Sequence, residues 1–524
     1  MLIYILLIIL AGFPVVTSDG EQNVPGNLKV LGEILQYDDF VNSKAGSETV
    51  EDFTLYVETT GNDGNNCLTA GTACLTIQEA VNRVPTKVKH DVVINIGEGN
   101  FAGFTVAGFI VPRYVGTLLI KGTLGNPTLG GGTVSGTADA GSTTQCVDNA
   151  GPGQTWVVNE LRGRLVLVAG EYRVIRDNTA DTMNLIGPLS ATCNGKAYEI
   201  FEQKTVINSA SPDYASANIW VTANQAGRDN SIEFSDLKTT GNTYAIFNHY
   251  GDGMRWVRIH STGATANILI QSIGGETTME DCYTSGGYYG FGIVEISGQL
   301  RVKRNYAYSN TYGYYLYGNG ALTQTNYLYS DAASNAGFAI GHWSEVFVED
   351  IFAEDATGSG MGIKLSTNQQ CQIDGLTVTS NASTGIYNLG TPLTLLGTVN
   401  ISSNGGYGIV LGGNIPPANT FLAGPTLEIS GTATIATNTS GGILAEYDSF
   451  VILGDVDGAN TGAYGLILTT GSSAVVTSST GITGATNDAT INSGNTQLDW
   501  STDFASNGDA VVNIDNGCRI ERRD

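Results

Sequence analysis

Glu349 and Asp374 occupy equivalent positions in neighbouring copies of an internal repeat. If each copy is one layer of a stacked sheet, their backbones are about 5 Å apart. Two carboxylates at that distance suit attack at a sugar's anomeric carbon with retention of configuration. Close like charges also raise the pKa of one partner, setting an acid beside a base. The bland alternatives are a solvated acidic face or a bound cation. A second concentration of chemistry lies just upstream, where eleven tyrosines fall between Tyr283 and Tyr329. Alternation places Tyr314 inward, and Tyr315 and Tyr317 outward on the same strand, with His342 and Trp343 one layer on. A tyrosine has an apolar face and a polar tip, which suits a sugar ring. The competing account of these tyrosines is a ladder packed beneath a loop. His249 and His260 stand alone and are expected to have structural roles. No cluster has zinc spacing, no glycine-rich loop reads as a phosphate cradle, and no Gly-x-Ser-x-Gly elbow is present. No metal and no cofactor is therefore expected.

The elements that position these residues follow from a repeat. A small residue precedes an alternating apolar stretch at Ala245, Asn267, Gly290, Gly313, Gly337, Gly362, Gly385, Gly408, Gly442 and Gly465. The steps are 22, 23, 23, 24, 25, 23, 23, 34 and 23 residues, and the long step contains Pro416-Pro417. The residues after each marker alternate with period two, as in Phe338-Ala339-Ile340 and Ile363-Lys364-Leu365, which defines a strand with one buried face. A second strand follows in each copy (Leu300-x-Val302, Leu322-x-Gln324, Val346-x-Val348, Cys371-x-Ile373), then a bend at Asp350, Gly375, Gly397 or Gly431. A third strand such as Leu376-Thr377-Val378 leads to a turn such as Ser380-Asn381 or Ser403-Asn404. Three strands and three turns per copy predict an all-β fold, a right-handed parallel β-helix solenoid, with clear rungs from about 245 to 480 and less regular ones from about 91 to 240.

Solenoid ends need covers. Thr76-Ile77-Gln78-Glu79 reads as a capping box that opens an N-terminal capping helix over 76–84, stopped by Pro85. The organisation expected is a signal-like or anchor segment at 1–18, a linker or strand segment at 19–54, the β-helix over 55–480 and a C-terminal cap over 481–524. Met1 to Ser18 is almost wholly apolar but has no preceding Lys or Arg, which leaves cleaved signal and retained anchor both open. Cys67 and Cys74 suggest a local disulfide and an oxidising compartment. Cys146 and Cys193 are a further pair that sequence alone does not fix, and Cys371 falls at a core position. With 24 Lys plus Arg against 49 Asp plus Glu, the formal net charge is −25. That excludes the basic footprint of nucleic-acid binding and opposes docking on anionic lipid.

The order Leu55-Tyr56-Val57, Thr60-Gly61-Asn62-Asp63-Gly64, Thr76-Ile77-Gln78-Glu79-Ala80-Val81, Val93-Ile94-Asn95-Ile96 and Gly97-Glu98-Gly99-Asn100-Phe101 resembles the opening segment of the pectin-lyase-like superfamily, which includes pectinesterases, polysaccharide lyases and hydrolases, and phage tailspikes. The resemblance covers about 50 residues of a structural cap. It implies the fold and a carbohydrate theme. The catalytic motifs of pectinesterases, polygalacturonases and pectate lyases are not legible, and Gly341-His342-Trp343 is no match to them. Gly26 to Ile34 is similar to short strand units of phage tail proteins. The function expected is therefore binding of a cell-surface polysaccharide by a tailspike-like or adhesin-like receptor-binding protein, extracellular or on a virion. The alternatives are a secreted glycosidase or lyase on the same fold and a purely structural surface protein. A homotrimer and viral tail or surface-assembly proteins are the further partners this implies. Tyr315, Tyr317, His342 and Trp343 are the expected glycan-binding residues, beside Glu349 and Asp374 as the expected catalytic pair.

Overall fold

The computed structural model describes side chains from Glu48 to Val475, apart from residues 113–114, 151–152, 223, 225–230, 272–274, 323–324, 413–423, 461–463 and 470. Outside these it describes the backbone of several short strands only. The apolar segment 1–18 thus lies largely outside the described residues, as does the loop with Pro416-Pro417. No helix among the described residues is long and apolar enough to cross a membrane.

Each repeat folds as one coil of a parallel β-helix. Its three strands contribute to three faces, here sheets I, II and III. On sheet I, strands Tyr244–His249, Ala266–Gln271, Tyr289–Ile296, Tyr312–Gly318, Ala336–Gly341 and Met361–Ser366 pair in parallel, rung upon rung. The register puts like over like: Ile268, Phe291, Tyr314, Phe338, Ile363 and Ile386 share one column. All six are fully buried. Tyr314 lies between Phe291 and Phe338, with ring centroids 4.8 and 4.6 Å away. A crossover between parallel strands of one sheet takes the right-handed sense. The parallel pairing continues beyond 480, through strands Gly481–Thr483, Asn487–Asn492, Gln497–Trp500 and Arg519–Arg522, in the same ladders as the body.

Two columns turn the corners. Between sheets II and III the bend residue is left-handed at Asp236, Arg258, Asp281, Arg304, Tyr327, Asp350, Gly375 and Gly397. Glycine takes this conformation freely; the earlier rungs use charged residues instead, paired up the axis. Arg258 grips Asp236 with Nε and Nη2 at 2.5 and 2.9 Å, and Arg304 grips Asp281 at 2.9 and 3.0 Å. After sheet III a buried asparagine ladder forms. Asn381, Asn404 and Asn438 each donate to the next amide oxygen, ending at Asn460, at 2.9–3.0 Å. The second amide hydrogen caps a strand carbonyl below, as Asn404 does at Val378.

A short helix forms at Ile77–Arg83, with Ile77, Ala80 and Val81 buried. Thr76 Oγ1 accepts from the Glu79 amide, but the reciprocal half of the box is replaced: Asp63 accepts from the Thr76 amide, and Glu79 instead binds Arg83. Cys67 and Cys74 are disulfide-bonded, so the loop leading into this helix is tied back.

The irregular rungs expected over 91–240 resolve differently. Val92–Ile96, Gly99–Phe101 and Phe104–Ala107 make one full coil, and the next begins at Leu118–Lys121. The chain then leaves the solenoid and returns at Thr205–Ile207. Between these points lies an antiparallel insertion with strands Leu165–Val168, Glu171–Asn178, Thr182–Leu185 and Ala197–Gln203 at its centre. It has its own core around Trp156, Val166, Ile175, Met183 and Ile200, and a disulfide between Cys146 and Cys193. Period-two alternation is the same in an antiparallel hairpin and a solenoid rung. The distinguishing signal was Ala169-Gly170, both left-handed (φ 53° and 83°), which is the two-residue turn of a hairpin.

Two substitutions test this account by thermal denaturation. Ile340→Asp places an unpaired charge in a sealed stack, a cost of several kcal/mol or more, and should prevent folding. Asn404→Ala orphans its ladder partners at ~1–3 kcal/mol each, so it should fold with a clearly lowered Tm. A wild-type-like melt in either variant contradicts the inward assignment.

Candidate functional site

The outer face of sheet I carries a concentration of aromatic side chains. Outward side chains meet there: Tyr289 and Tyr315, on neighbouring strands, have centroids 4.7 Å apart, and along one strand Tyr315 and Tyr317 are 4.4 Å apart and Tyr312 and Tyr315 5.5 Å. Tyr288 sits at the edge of this group and is 45% exposed, whereas Tyr289, Tyr312, Tyr315 and Tyr317 are half-buried. Upstream on the same face, Trp220, Tyr244, Phe247 and His249 make a second group, joined through Tyr214. The two groups lie on strands Ala217–Thr222 and Tyr244–His249 and on strands Tyr289–Ile296 and Tyr312–Gly318, with the aromatic-free strand Ala266–Gln271 between them, and at ~4.8 Å per step the strip spans about 19 Å from first strand to last.

Local sequence explains how the rings lie. Tyr317 pairs with Gly341, and Gly341 with Ser366, on successive strands. A Cβ at Gly341 would come within 2.6 Å of the Tyr317 ring. Its absence lets the ring cross one rung and place its hydroxyl 3.1 Å from Ser366 Oγ. His342 is exposed beyond it, 5.5 Å from the Tyr317 centroid, with Nδ1 3.1 Å from Thr367 Oγ1. Burial raises the hydroxyl pKa of Tyr289 and Tyr315, and pushes that of Tyr312 up to about 12, with neighbouring tyrosines adding to the shift. These hydroxyls therefore stay protonated at neutral pH and can donate.

Trp343 is a correction to the expected glycan-binding set. His342 is left-handed (φ 65°), so it points outward and the next side chain turns in. Trp343 is 0% exposed, packs over Gly318 and donates from Nε1 to Leu316 O at 3.0 Å. It fills the corner between two sheets and has no surface to offer a ligand.

Glu349 and Asp374 do stack on neighbouring strands, with Glu349 exposed and Asp374 half-exposed. They belong to sheet II, however, and Tyr315 and Tyr317 to sheet I, so the two sets are not brought together on one face. The raised pKa falls on Asp350 next door: burial is the largest cause, the Tyr327 hydroxyl opposes it, and the charges of Glu349 and Asp374 add to it. The column is displaced by one residue on the rung before Glu349. A β-bulge after Leu322 turns Thr325 inward, and Asn326 stands between Lys303 and Glu349.

The remaining tyrosines have a different role. Tyr283, Tyr306 and Tyr329 form a column on sheet III that the insertion covers with Leu165, Val174 and Ile186. Arginines seal the seam, Arg162 over Tyr308 at 4.0 Å and Arg176 over Tyr329 at 5.6 Å. At its edge lies a carboxylate pair that sequence reasoning missed. Asp331 and Glu354 are neighbours on adjacent strands. Tyr306 donates to Asp331 at 3.0 Å, and Arg176 Nη1 lies 3.7 Å from Glu354. Both pKa values are raised, chiefly by burial; Tyr306 and Arg162 oppose the shift at Asp331, and Arg176 opposes it at Glu354. Buried carboxylates with raised pKa can act as general acids. The signal for them was the aromatic column itself: rings pointing outward on consecutive rungs require a cover.

No protein-family model and no curated protein matches the chain. Among solved structures, a GH136 lacto-N-biosidase from Eubacterium ramulus aligns over 90% of this chain and 68% of its own, at 9% identity and TM-score 0.32. A glycoside hydrolase aligns over 85% of this chain and 96% of its own, at 8% identity and TM-score 0.26. The tailspike gp61 of Pseudomonas phage phi297 aligns over 80% and 67%, at 12% identity and TM-score 0.21. At such values the fold rests on the strand pairing itself.

The raised pKa values have a consequence for stability. A carboxyl whose folded pKa exceeds its unfolded value stabilises the fold at low pH, and loses that contribution as pH rises through the folded pKa. Tm should therefore contain a component that falls as pH rises above the ordinary carboxylate range. Asp331→Asn and Glu354→Gln should remove part of it. Calorimetry across that range showing the same slope in the double variant would contradict the burial of this pair.

Proposed function

We propose that this protein is a polysaccharide-binding β-helix, tailspike-like or adhesin-like, acting outside the cell or on a virion surface. The observation that carries this reading is the aromatic strip on sheet I. Parallel strands hold the rings in a rigid array, so little entropy is lost when a glycan lands on them. Tyrosine faces stack on the apolar faces of sugars, and their protonated hydroxyls donate to ring and hydroxyl oxygens. Two disulfides fit an oxidising compartment. A homotrimer, in a tail or surface assembly, is the further association this reading implies.

Removing a ring costs the stacking without touching the core. Tyr315→Ala and Tyr317→Ala should each weaken binding on an array of cell-surface polysaccharides by roughly tenfold, ~1.4 kcal/mol, with unchanged melting. Trp343→Phe should instead lower Tm and leave affinity intact. Full affinity in both tyrosine variants would place binding elsewhere.

A second reading, glycoside cleavage, is favoured by one observation: Asp331 and Glu354 stand on adjacent rungs with raised pKa values. Adjacent rungs give the ~5 Å spacing of a retaining pair. If the chain is an enzyme, reducing ends appear when it is incubated with its glycan, and Glu354→Gln abolishes their release. Absence of any release by the unaltered protein from a glycan it binds ends this reading.

A further inference from the structure

A cleft of about 560 Å³ opens between the insertion and the first rungs of the solenoid, and none of the sheet I tyrosines lines it. One wall is aromatic: Tyr172 and Phe201 of the insertion meet edge to face, with centroids 5.9 Å apart. The solenoid contributes polar side chains, Glu58, Lys121 and Arg258. Arg258 is fixed from two directions, by the bidentate contact with buried Asp236 and by the Tyr172 ring 5.0 Å away. Glu58 and Lys121 have no side-chain partner among the described residues. Glycines hollow out the floor: a Cβ at Gly97 would collide with the Glu58 carboxylate, and one at Gly122 with the Asp236 carbonyl 2.4 Å away. The insertion is held over the cleft by antiparallel pairing of Leu124 with Gln203 at its stalk.

We propose that this cleft is a second saccharide site, taking the end unit of an uncharged glycan. Domain-interface clefts with apolar walls and a few convergent polar groups are typical ligand sites. The lining charges select the class. Asp236 neutralises Arg258, and Lys121 and Glu58 offer one cation and one anion, so an ionic ligand attracted by one is repelled by the other. A neutral sugar uses both: its hydroxyls accept from Lys121 and donate to Glu58, while its apolar face lies on Phe201 and Tyr172. The site stands independently of the tyrosine strip.

The test is titration of the full chain with free galactose, glucose, N-acetylglucosamine and glucuronate, followed by ligand-observed NMR. At least one neutral sugar should bind in the ~mM range. Ala70→Trp, at an exposed position on the rim, should abolish this binding by filling the mouth. Lys121→Ala and Glu58→Gln should weaken it by about fivefold or more, and decide the matter if Ala70→Trp fails to fold. Tyr315→Ala should leave it unchanged. Failure of all three neutral sugars to bind, persistence of binding in Ala70→Trp or in both charge variants, or tighter binding of glucuronate overturns the proposal.

Discussion

The structure depends on the vertical hydrogen-bond ladder between identical positions of successive coils. Each strand pairs with the strand one repeat away, so the ~4.8 Å spacing is imposed on every column of side chains at once. A column then has few choices. Inward columns must be apolar and of matched size, which is why Phe291, Tyr314 and Phe338 stack nearly coplanar. Buried polar columns must bond along the axis, as the asparagines do from Asn381 to Asn460. Charged corners must alternate in sign, as Asp236, Arg258, Asp281 and Arg304 do. A lone charge in any such column would be surrounded by copies of a residue unable to answer it.

The same ladder explains the need for the insertion. Tyr283, Tyr306, Tyr329 and Phe352 form an outward aromatic column on sheet III, anchored by the Tyr329–Phe352 stack at 4.0 Å. Left bare, such a column would be an apolar stripe along the solenoid. The insertion leaves between two strands that the ladder already fixes, Leu118–Lys121 and Thr205–Ile207, and lies along that stripe. His260, at the head of the column, packs its ring edge against Tyr283; burial holds its pKa down at about 3, so it is neutral and structural. The arginines at the seam are positive charges set against ring faces, which hold the cover without needing a matching shape.

What could be read from the sequence follows from this division. Inward positions of sheet I from Ile246 to Leu468 were legible because burial fixes both period and residue type, and these are buried. Outward positions obey no such rule. Tyr315 and Tyr317 were placed outward correctly by alternation, but Trp343 was not, because a left-handed residue at His342 breaks the alternation at a corner. A bulge is silent in a period-two pattern, so nothing in the sequence marks where Thr325 turns inward. Asp331 and Glu354 were missed for a related reason. Their environment is made in part by a segment more than 100 positions earlier in the chain, through Arg176 at Glu354 and Arg162 near Asp331, and no local pattern reports a contact of that range.

Function on a solenoid is consequently confined to places where the stacking rule does not choose the residue. The outward columns are one such place, and the tyrosine strip uses the ladder to gain rigidity while remaining free in composition. The seam under the insertion is the other. There a side chain is buried without belonging to the repeating core, so Asp331 and Glu354 can keep raised pKa values that an inward column would not tolerate and an exposed one would not produce. The cleft beside Arg258 has the same origin, since it lies where the first coils and the insertion diverge from a common stalk. A chain that must stack identically on the inside can still vary its chemistry at such junctions, because a single insertion changes the environment of several rungs while altering none of their inward residues.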